Sequence, residues 1–281
     1  MPLDDYLLNA KQLDSISSAY SLSIAGCMHK YGLSYSIRKS SINSGMGADA
    51  PSSRMDGRFG YQSMTHAKKW GYHPEGGFPE SGKLNTSSAI SPEKWFALAG
   101  TRDLNAESGP GGLTRSGAKV PSGGCTGSAL LAITGSRNGH IGDAEIATSL
   151  NFDTLVAGQK DPRTLKVFSL WSRCMQGYGY SYKSPLDALS DSTWTKASKP
   201  SSAEIKTAVA DQNCRALHNV VGVWFTADFE YQEQAVKNNR IALTKAKEQI
   251  RRQISAAQKI IAYCHRLTAA YPSTQIVLTP C

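Results

Sequence analysis

Apolar residues recur at helical spacing along most of this chain. Between Leu13 and Met28, the residues Ile16, Tyr20, Ile24 and Cys27 fall on one face in steps of three and four. Leu165, Phe168, Trp171 and Met175 repeat the pattern, after an Asp161-Pro162 pair that supplies an N-cap and a first-turn proline. A short helix is predicted over Met64 to Lys69. It stops at Trp70-Gly71-Tyr72-His73-Pro74, where the proline bars continuation. Ser91-Pro92-Glu93 opens another helix, with Trp95, Phe96 and Leu98 as its apolar face.

From Ser201-Ser202-Ala203-Glu204 to Leu267 the chain has no proline and one glycine, Gly222, and helix formers dominate. A break is expected near His218-Asn219, because asparagine caps a new helix. Beyond it the pattern predicts one helix of about 45–50 residues, roughly 70 Å long. Its seam of Leu243, Ala246, Ile250, Ile254, Ala257, Ile261 and Cys264 approximates a heptad. The half from Gln232 to Asn239 reads as solvated, Pro272 ends the pattern, and Ile276-Val277-Leu278 is a short strand or a docked tail. Residues 39–60 and 74–90 read as loops. Residues 100–124, with seven glycines and two prolines, read as a loop carrying a hairpin. Loops this long are unusual in a compact domain unless stapled or functional.

The chain also repeats itself. Cys27-Met28-His29-Lys30-Tyr31-Gly32-Leu33-Ser34-Tyr35 aligns without a gap on Cys174-Met175-Gln176-Gly177-Tyr178-Gly179-Tyr180-Ser181-Tyr182, identical at six of nine positions. Both copies follow a helical pattern, and Gly32 and Gly179 stand where a left-handed helix stop belongs. Each is followed by another cysteine near or within a later helix, Cys125 and Cys214. None of the six cysteines forms a CxxC pair, and an even number of them fits disulfides in an oxidising compartment. Sequence alone does not choose the pairing. The simplest architecture joins Cys27 to Cys125, Cys174 to Cys214, and Cys264 to Cys281. The fold class expected is therefore mainly α: two related helical modules with long Gly/Ser-rich loops, stapled by disulfides, and a very long C-terminal helix. Residues 1–150 would form the N-terminal module with its loop insertion. Residues 151–281 would form the second, with the long helix and docked tail.

Composition narrows the class further. Of 281 residues, 40% are hydrophobic, too many for a disordered chain, and no run reaches the ~18 apolar residues of a membrane span. The net charge of +9 lies in good part on the long helix, at Lys237, Arg240, Lys245, Lys247, Arg251, Arg252 and Lys259 against Glu233 and Glu248. A solvated helix face is the plainer account of that charge. An anionic wall polymer or membrane surface is the partner it invites, and nucleic acid is disfavoured because no aromatic interleaving accompanies it. The start, Met1-Pro2-Leu3-Asp4-Asp5, lacks the basic segment and apolar core of a signal peptide, so the expectation is a mature chain with an added Met.

Motifs for chemistry are sparse. There is no HExxH, no GxSxG, and no P-loop lysine after Gly109-Pro110-Gly111-Gly112. No catalytic set, metal site or cofactor is expected. Position 29, a histidine in the first copy, is Gln176 in the second, which argues against a shared catalytic role. Aromatics remain. Trp70, Tyr72 and His73 lie in a loop bounded by Gly and Pro, and Tyr178, Tyr180 and Tyr182 follow the second repeat helix. These six are the candidate ligand-binding residues, whereas Trp224, Phe225, Phe229 and Tyr231 read as core.

Several segments resemble an uncharacterised family of actinobacterial secreted proteins, often predicted lipoproteins. They are Phe59-Gly60-Tyr61 through Trp70-Gly71-Tyr72-His73, the stretch from Gly117 to Cys125, Trp171-Ser172-Arg173-Cys174-Met175, and Val220-Val221-Gly222-Val223-Trp224-Phe225 with Tyr231-Gln232. The resemblance implies export, and anchoring through a lipidated N-terminal cysteine. No cysteine stands at the start of this chain, so the expectation is a freely secreted protein or one from which that residue has been cut. The reading is an extracytoplasmic, noncatalytic binding protein of the cell envelope, facing a protein, a secreted peptide or a wall polymer. Its rivals are a secreted or envelope enzyme of a natural-product or cell-wall pathway, with its site near Trp70–His73, and a basic nucleic-acid binder.

Overall fold

The computed structural model describes residues 1–35, 54–78 and 90–270. The described chain is almost entirely helical. Its helices are α1 (Ala10–Lys30), α2 (Arg54–Phe59), α3 (Met64–Trp70), α4 (Pro92–Ala99), α5 (Gly124–Thr134), α6 (Glu145–Lys160), α7 (Pro162–Gly177), α8 (Pro185–Leu189), α9 (Ser202–Leu217), α10 (Val220–Asn238) and α11 (Arg240–Ala270). The one sheet among the described residues is an antiparallel pair, β1 (Gly112–Leu113) with β2 (Lys119–Val120), in register Gly112 to Val120. No described helix is long and apolar enough to cross a membrane.

The chain forms two compact units interleaved in sequence. One contains Met1–Asp5, Asn43–Asn85 and Glu145–Leu243; the other contains Tyr6–Ile42, Thr86–Ala144 and Thr244–Cys281. A division at residue 150 follows the repeat copies, one per unit, but not the full content of either unit.

The first unit packs α10 against α6 and α7, and α9 against α3, α7 and α8. Its core is aromatic. The Trp224 ring meets Phe59 at 5.0 Å and Phe168 at 5.3 Å, both edge-on, with Trp171 and Met175 fully buried beside them. Edge-to-face contact sets the positive rim of one ring on the negative face of the next. The buried face of α7 holds Thr164, Val167, Phe168, Trp171 and Met175, whereas Leu165 is 53% exposed. The predicted face is thus displaced at its first turn: Thr164 stands one heptad before Trp171, where Leu165 was expected.

The second unit packs α1 and α4 on α5. Its core uses smaller residues, Ile24, Met28, Ala97, Cys125 and Ala129 in one cluster, and Leu8, Ile16, Ala19, Ile133, Ile250 and Ala257 in another. Asn9 starts α1 through a capping box with Gln12, each side chain accepting the other's backbone N–H at 2.9 Å. The seam of α11 is buried as the spacing predicts, at Ala246, Ile250, Ala257 and Cys264 of this unit, with Ile254 and Ile261 half-buried, and at Leu243, the last residue of the first unit. Gln253 sits fully buried in that seam and clasps Gly142, accepting from its N–H at 2.9 Å and donating to its carbonyl at 3.0 Å.

Both repeat copies end their helices alike. Tyr31 (φ −97°, ψ 9°) and Tyr178 (φ −90°, ψ 0°) cap α1 and α7, and the glycine after each turns left-handed, at φ 70° and 87°. Leu33 N–H then donates to Met28 O at 3.1 Å, and Tyr180 N–H to Met175 O at 3.0 Å. Disulfides join Cys27 to Cys125 and Cys174 to Cys214, with Cα–Cα distances of 5.5 and 5.7 Å. Cys264 is also disulfide-bonded; its expected partner, Cys281, lies outside the described residues, as does the Ile276–Leu278 strand. These bonds fit an oxidising, extracytoplasmic environment.

Three local expectations are corrected. The helix of about 45–50 residues is two helices, α10 and α11, interrupted at Asn239. There the Asn239 side-chain amide and backbone N–H both donate to Ala235 O, at 2.9 and 3.0 Å. Asparagine competes for backbone partners in this way and is a poor helix interior residue. The break at Asn219 occurs, but without a side-chain cap. Asn219 takes a left-handed conformation (φ 47°) and joins α9 to α10 by its backbone. Residues 54–59, expected as loop, form α2; the rest of the 39–60 loop outside 54–60, and residues 79–89 of the 74–90 loop, lie outside the described residues.

Candidate functional site

The end of α3 and the loop after it place Trp70, Tyr72 and His73 in three different environments of the first unit. Gly71 makes this possible. Its φ of 57° favours glycine, and a Cβ there would stand 2.7 Å from Glu204 Oε1. The backbone can therefore approach Glu204 of α9 closely. Tyr72 N–H donates to Glu204 Oε1 at 2.8 Å, and His73 Nδ1 meets the same oxygen at 2.7 Å. Both side chains of that pair are essentially inaccessible.

His73 is committed at both nitrogens. Nε2 lies 2.9 Å from Ala197 O, and a carbonyl can only accept, so Nε2 carries a hydrogen and donates. Nδ1 faces the carboxylate. His66 Nε2 in turn donates to His73 O at 2.9 Å, and the His66 ring stacks on Tyr61 with centroids 3.7 Å apart. The His73 imidazole therefore directs no lone pair toward solvent and fastens the 70–78 loop to α9.

Tyr72 points inward. Its ring stacks on Trp194 at 5.8 Å, and its phenol is pushed well above the ordinary tyrosine range, first by burial and then by the Asp211 carboxylate. Asp211 accepts from Trp171 Nε1 at 2.8 Å and from Arg215 Nε at 2.7 Å. Arg215 reaches on to the carbonyls of Phe59 and Pro185. Tyr182 donates to Asp191 Oδ2 at 2.9 Å, and Tyr180 packs half-buried on the same core. The structure thus brings Tyr72, Tyr180 and Tyr182 onto one core with His73 at its edge, while Tyr178 is 54% exposed and apart.

Trp70, the last residue of α3, is the one of the three that meets solvent. It is half-buried, and the ammonium groups of Lys69 and Lys199 lie 5.2 and 5.4 Å from its ring centroid. Lys199 Nζ also donates to Gly76 O at 2.7 Å. Each ammonium is attracted to the negative face of the indole ring.

Sequence reasoning missed a second polar network. Arg58 of α2 is buried and pairs with Asp228 of α10 through two guanidinium nitrogens. It also donates to Asn151 Oδ1 and Asn151 O, each at 2.8 Å, and to Thr154 Oγ1 at 3.1 Å. Gln232 accepts from Leu3 N–H at 3.0 Å beside it. A signal was present: Asp228 and Gln232 follow Trp224 at i+4 and i+8 on one helix face, and Glu204, Asp211 and Arg215 share a face of α9.

No group of three or more potential metal ligands occurs among the described residues. No family model, curated protein or solved structure matches the chain.

Proposed function

We propose that this chain is an extracytoplasmic, noncatalytic binding protein of the cell envelope, whose partner is a protein, a secreted peptide or a wall polymer. The observation that carries the reading is His73. The enzyme reading places its site near the Trp70–His73 loop and is favoured by a pocket enclosing His73 or His29, where the histidine can take or give a proton at a substrate. His73 is fully buried, and its two nitrogens are engaged by Glu204 and Ala197. What the loop leaves to a ligand is the Trp70 face with Lys69 and Lys199. The disulfides support a place outside the cytoplasm, and the resemblance to secreted and lipoprotein-like actinobacterial chains agrees with it.

Co-sedimentation of the oxidised protein with isolated cell envelopes tests the reading. Saturable binding is expected, with the bound material recovered chemically unchanged by mass spectrometry. Trp70→Ala should weaken it about tenfold, the loss of a surface aromatic anchor. Absence of saturable binding overturns the proposal, and conversion of the bound material replaces it with the enzyme reading.

A further inference from the structure

Helix α11 carries a row of cations at heptad spacing: Lys245, Arg252, Lys259 and Arg266. All four are exposed. At 1.5 Å per residue, successive members stand about 10.5 Å apart, and the row runs roughly 32 Å. A straight helix drifts about 20° per heptad, so the row winds gently along one side rather than scattering around the axis. Among the described residues none of the four makes an ion pair. Glu248, one turn from both Lys245 and Arg252, pairs with neither. Arg252 has one marginal polar contact, to Thr134 O at 3.5 Å.

A trough of about 320 Å³ runs beside the two central members, lined by Ala132 of α5 and by Arg252, Ser255, Ala256, Lys259 and Ile260. Its floor is apolar and its rim holds two cations and one hydroxyl. Charge on one side and a neutral channel alongside suit a chain whose anionic groups recur along an uncharged backbone.

We infer that this row and its trough bind a linear phosphodiester polymer of the cell envelope. The inference rests on the binding-protein reading above and names the partner class. Regular, equivalent charges accept such a polymer in any register, and the row needs no specific pocket. An acidic peptide would call for main-chain partners or side-chain pockets to fix its register, and the row offers none. A bilayer surface would call for large apolar wedges between successive cations; the intervening positions are Glu248 and Gln249, then Ser255 and Ala256, then Ala262 and Tyr263, so one exposed aromatic stands at one end of the row and none elsewhere along it. Double-stranded DNA is disfavoured by the disulfides.

Binding of fluorescently labelled poly(glycerol phosphate) tests this. Each neutralised charge on a single-stranded polyanion contributes about 0.7 to the logarithmic salt slope, so four cations predict about 50-fold weaker binding at 200 mM salt than at 50 mM. Arg252→Gln with Lys259→Gln halves the slope, leaving about a sevenfold salt effect. Lys166→Gln with Lys206→Gln removes the same charge from exposed positions of the first unit and leaves affinity within about twofold. Circular dichroism checks that each variant keeps its helix content. Equal weakening by both pairs overturns the proposal, as does tighter binding to phosphatidylglycerol vesicles, polyglutamate or duplex DNA. If the row variant still co-sediments with envelopes as wild type does, the row is excluded while the binding-protein reading stands. If wild type does not co-sediment, that reading falls.

Discussion

The two units share one device and differ in nearly everything packed around it. Each contains a helix that ends in Tyr-Gly with a left-handed glycine and is stapled one turn earlier to a later helix. Yet every buried charged side chain among the described residues belongs to the first unit: Arg58, Asp161, Glu204, Asp211, Arg215 and Asp228. The second unit buries the neutral Gln253 instead. The repeat tyrosines diverge too. Tyr31 donates to Lys119 O at 2.8 Å and so ties its helix to the β1–β2 hairpin, while Tyr178 is exposed. The repeated motif specifies how a helix stops and what it is tied to. It leaves open what fills the core, and the first unit filled its core with aromatics and ion pairs.

The largest test of this contrast is removal of the staples. The Cys27–Cys125 bond spans 98 residues and the Cys174–Cys214 bond 40. In the chain-entropy treatment these closures contribute about 4.7 and about 3.9 kcal/mol. The small-residue core of the second unit has less apolar area to compensate. The Cys27→Ala/Cys125→Ala protein is therefore expected to lose more stability in urea, and to lose hydrogen-exchange protection in α1, α4 and α5 while α7 and α9 keep theirs. The reverse order of cost would break the claim that the second unit depends more on its staple.

The next test concerns the buried ions. Asp228→Ala leaves the Arg58 guanidinium buried without its counter-charge and should cost about 4 kcal/mol. Replacing both, Arg58→Met with Asp228→Leu, should return most of that, because the pair's own desolvation cost disappears with it. Its counterpart in the second unit, Gln253→Ala, strips both bonds from Gly142 and should cost less, about 2 kcal/mol. Equal costs for Asp228→Ala and Gln253→Ala would mean that the ionic core of the first unit is not distinctive.

How much of this was legible in the sequence follows the range of the interactions. Helix stops at Gly32 and Gly179, the Asp161 cap and the α11 seam depend on neighbours within a turn or two, and they read directly. Sequence alone did not choose the cysteine pairing, but the repeat made Cys27 with Cys125 and Cys174 with Cys214 the simplest architecture, and the structure has both. The polar networks were not. Glu204 reads as a first-turn acid favourable to the helix dipole, and nothing local says that Tyr72 and His73, over 130 residues away, will meet its oxygen. Asn239 was missed for a different reason: the two asparagines, Asn238 and Asn239, cost little by propensity in a run of helix formers, and the break falls where the Asn239 side chain also bonds Ala235 O. Of the six candidate ligand residues, sequence could place Trp70, Tyr72 and His73 together in a loop. It could not say that the latter two turn inward.

The smallest effect concerns Tyr182, which separates an inward-facing repeat tyrosine from an exposed one. Burial, then its bond to Asp191 and that residue's charge, push the Tyr182 phenol from 10.0 up to about 12. The neutral phenol is the form the folded chain favours. Its contribution is therefore complete below pH 10, where the unfolded chain is also protonated, and is lost as pH rises from 10 to about 12. Asp191 moves the other way. The Thr193 N–H and hydroxyl, and then Tyr182, lower its pKa, so its contribution is lost only in acid. Tyr182→Phe should thus be less stable than wild type near neutral pH, by about 1 kcal/mol for the lost hydrogen bond. The deficit should shrink through pH 10 to 12, because the variant has no phenol to ionise, and urea midpoints across that range measure it. A constant deficit would place the Tyr182 hydroxyl in solvent, as Tyr178 is, and would remove the difference between the two tyrosines.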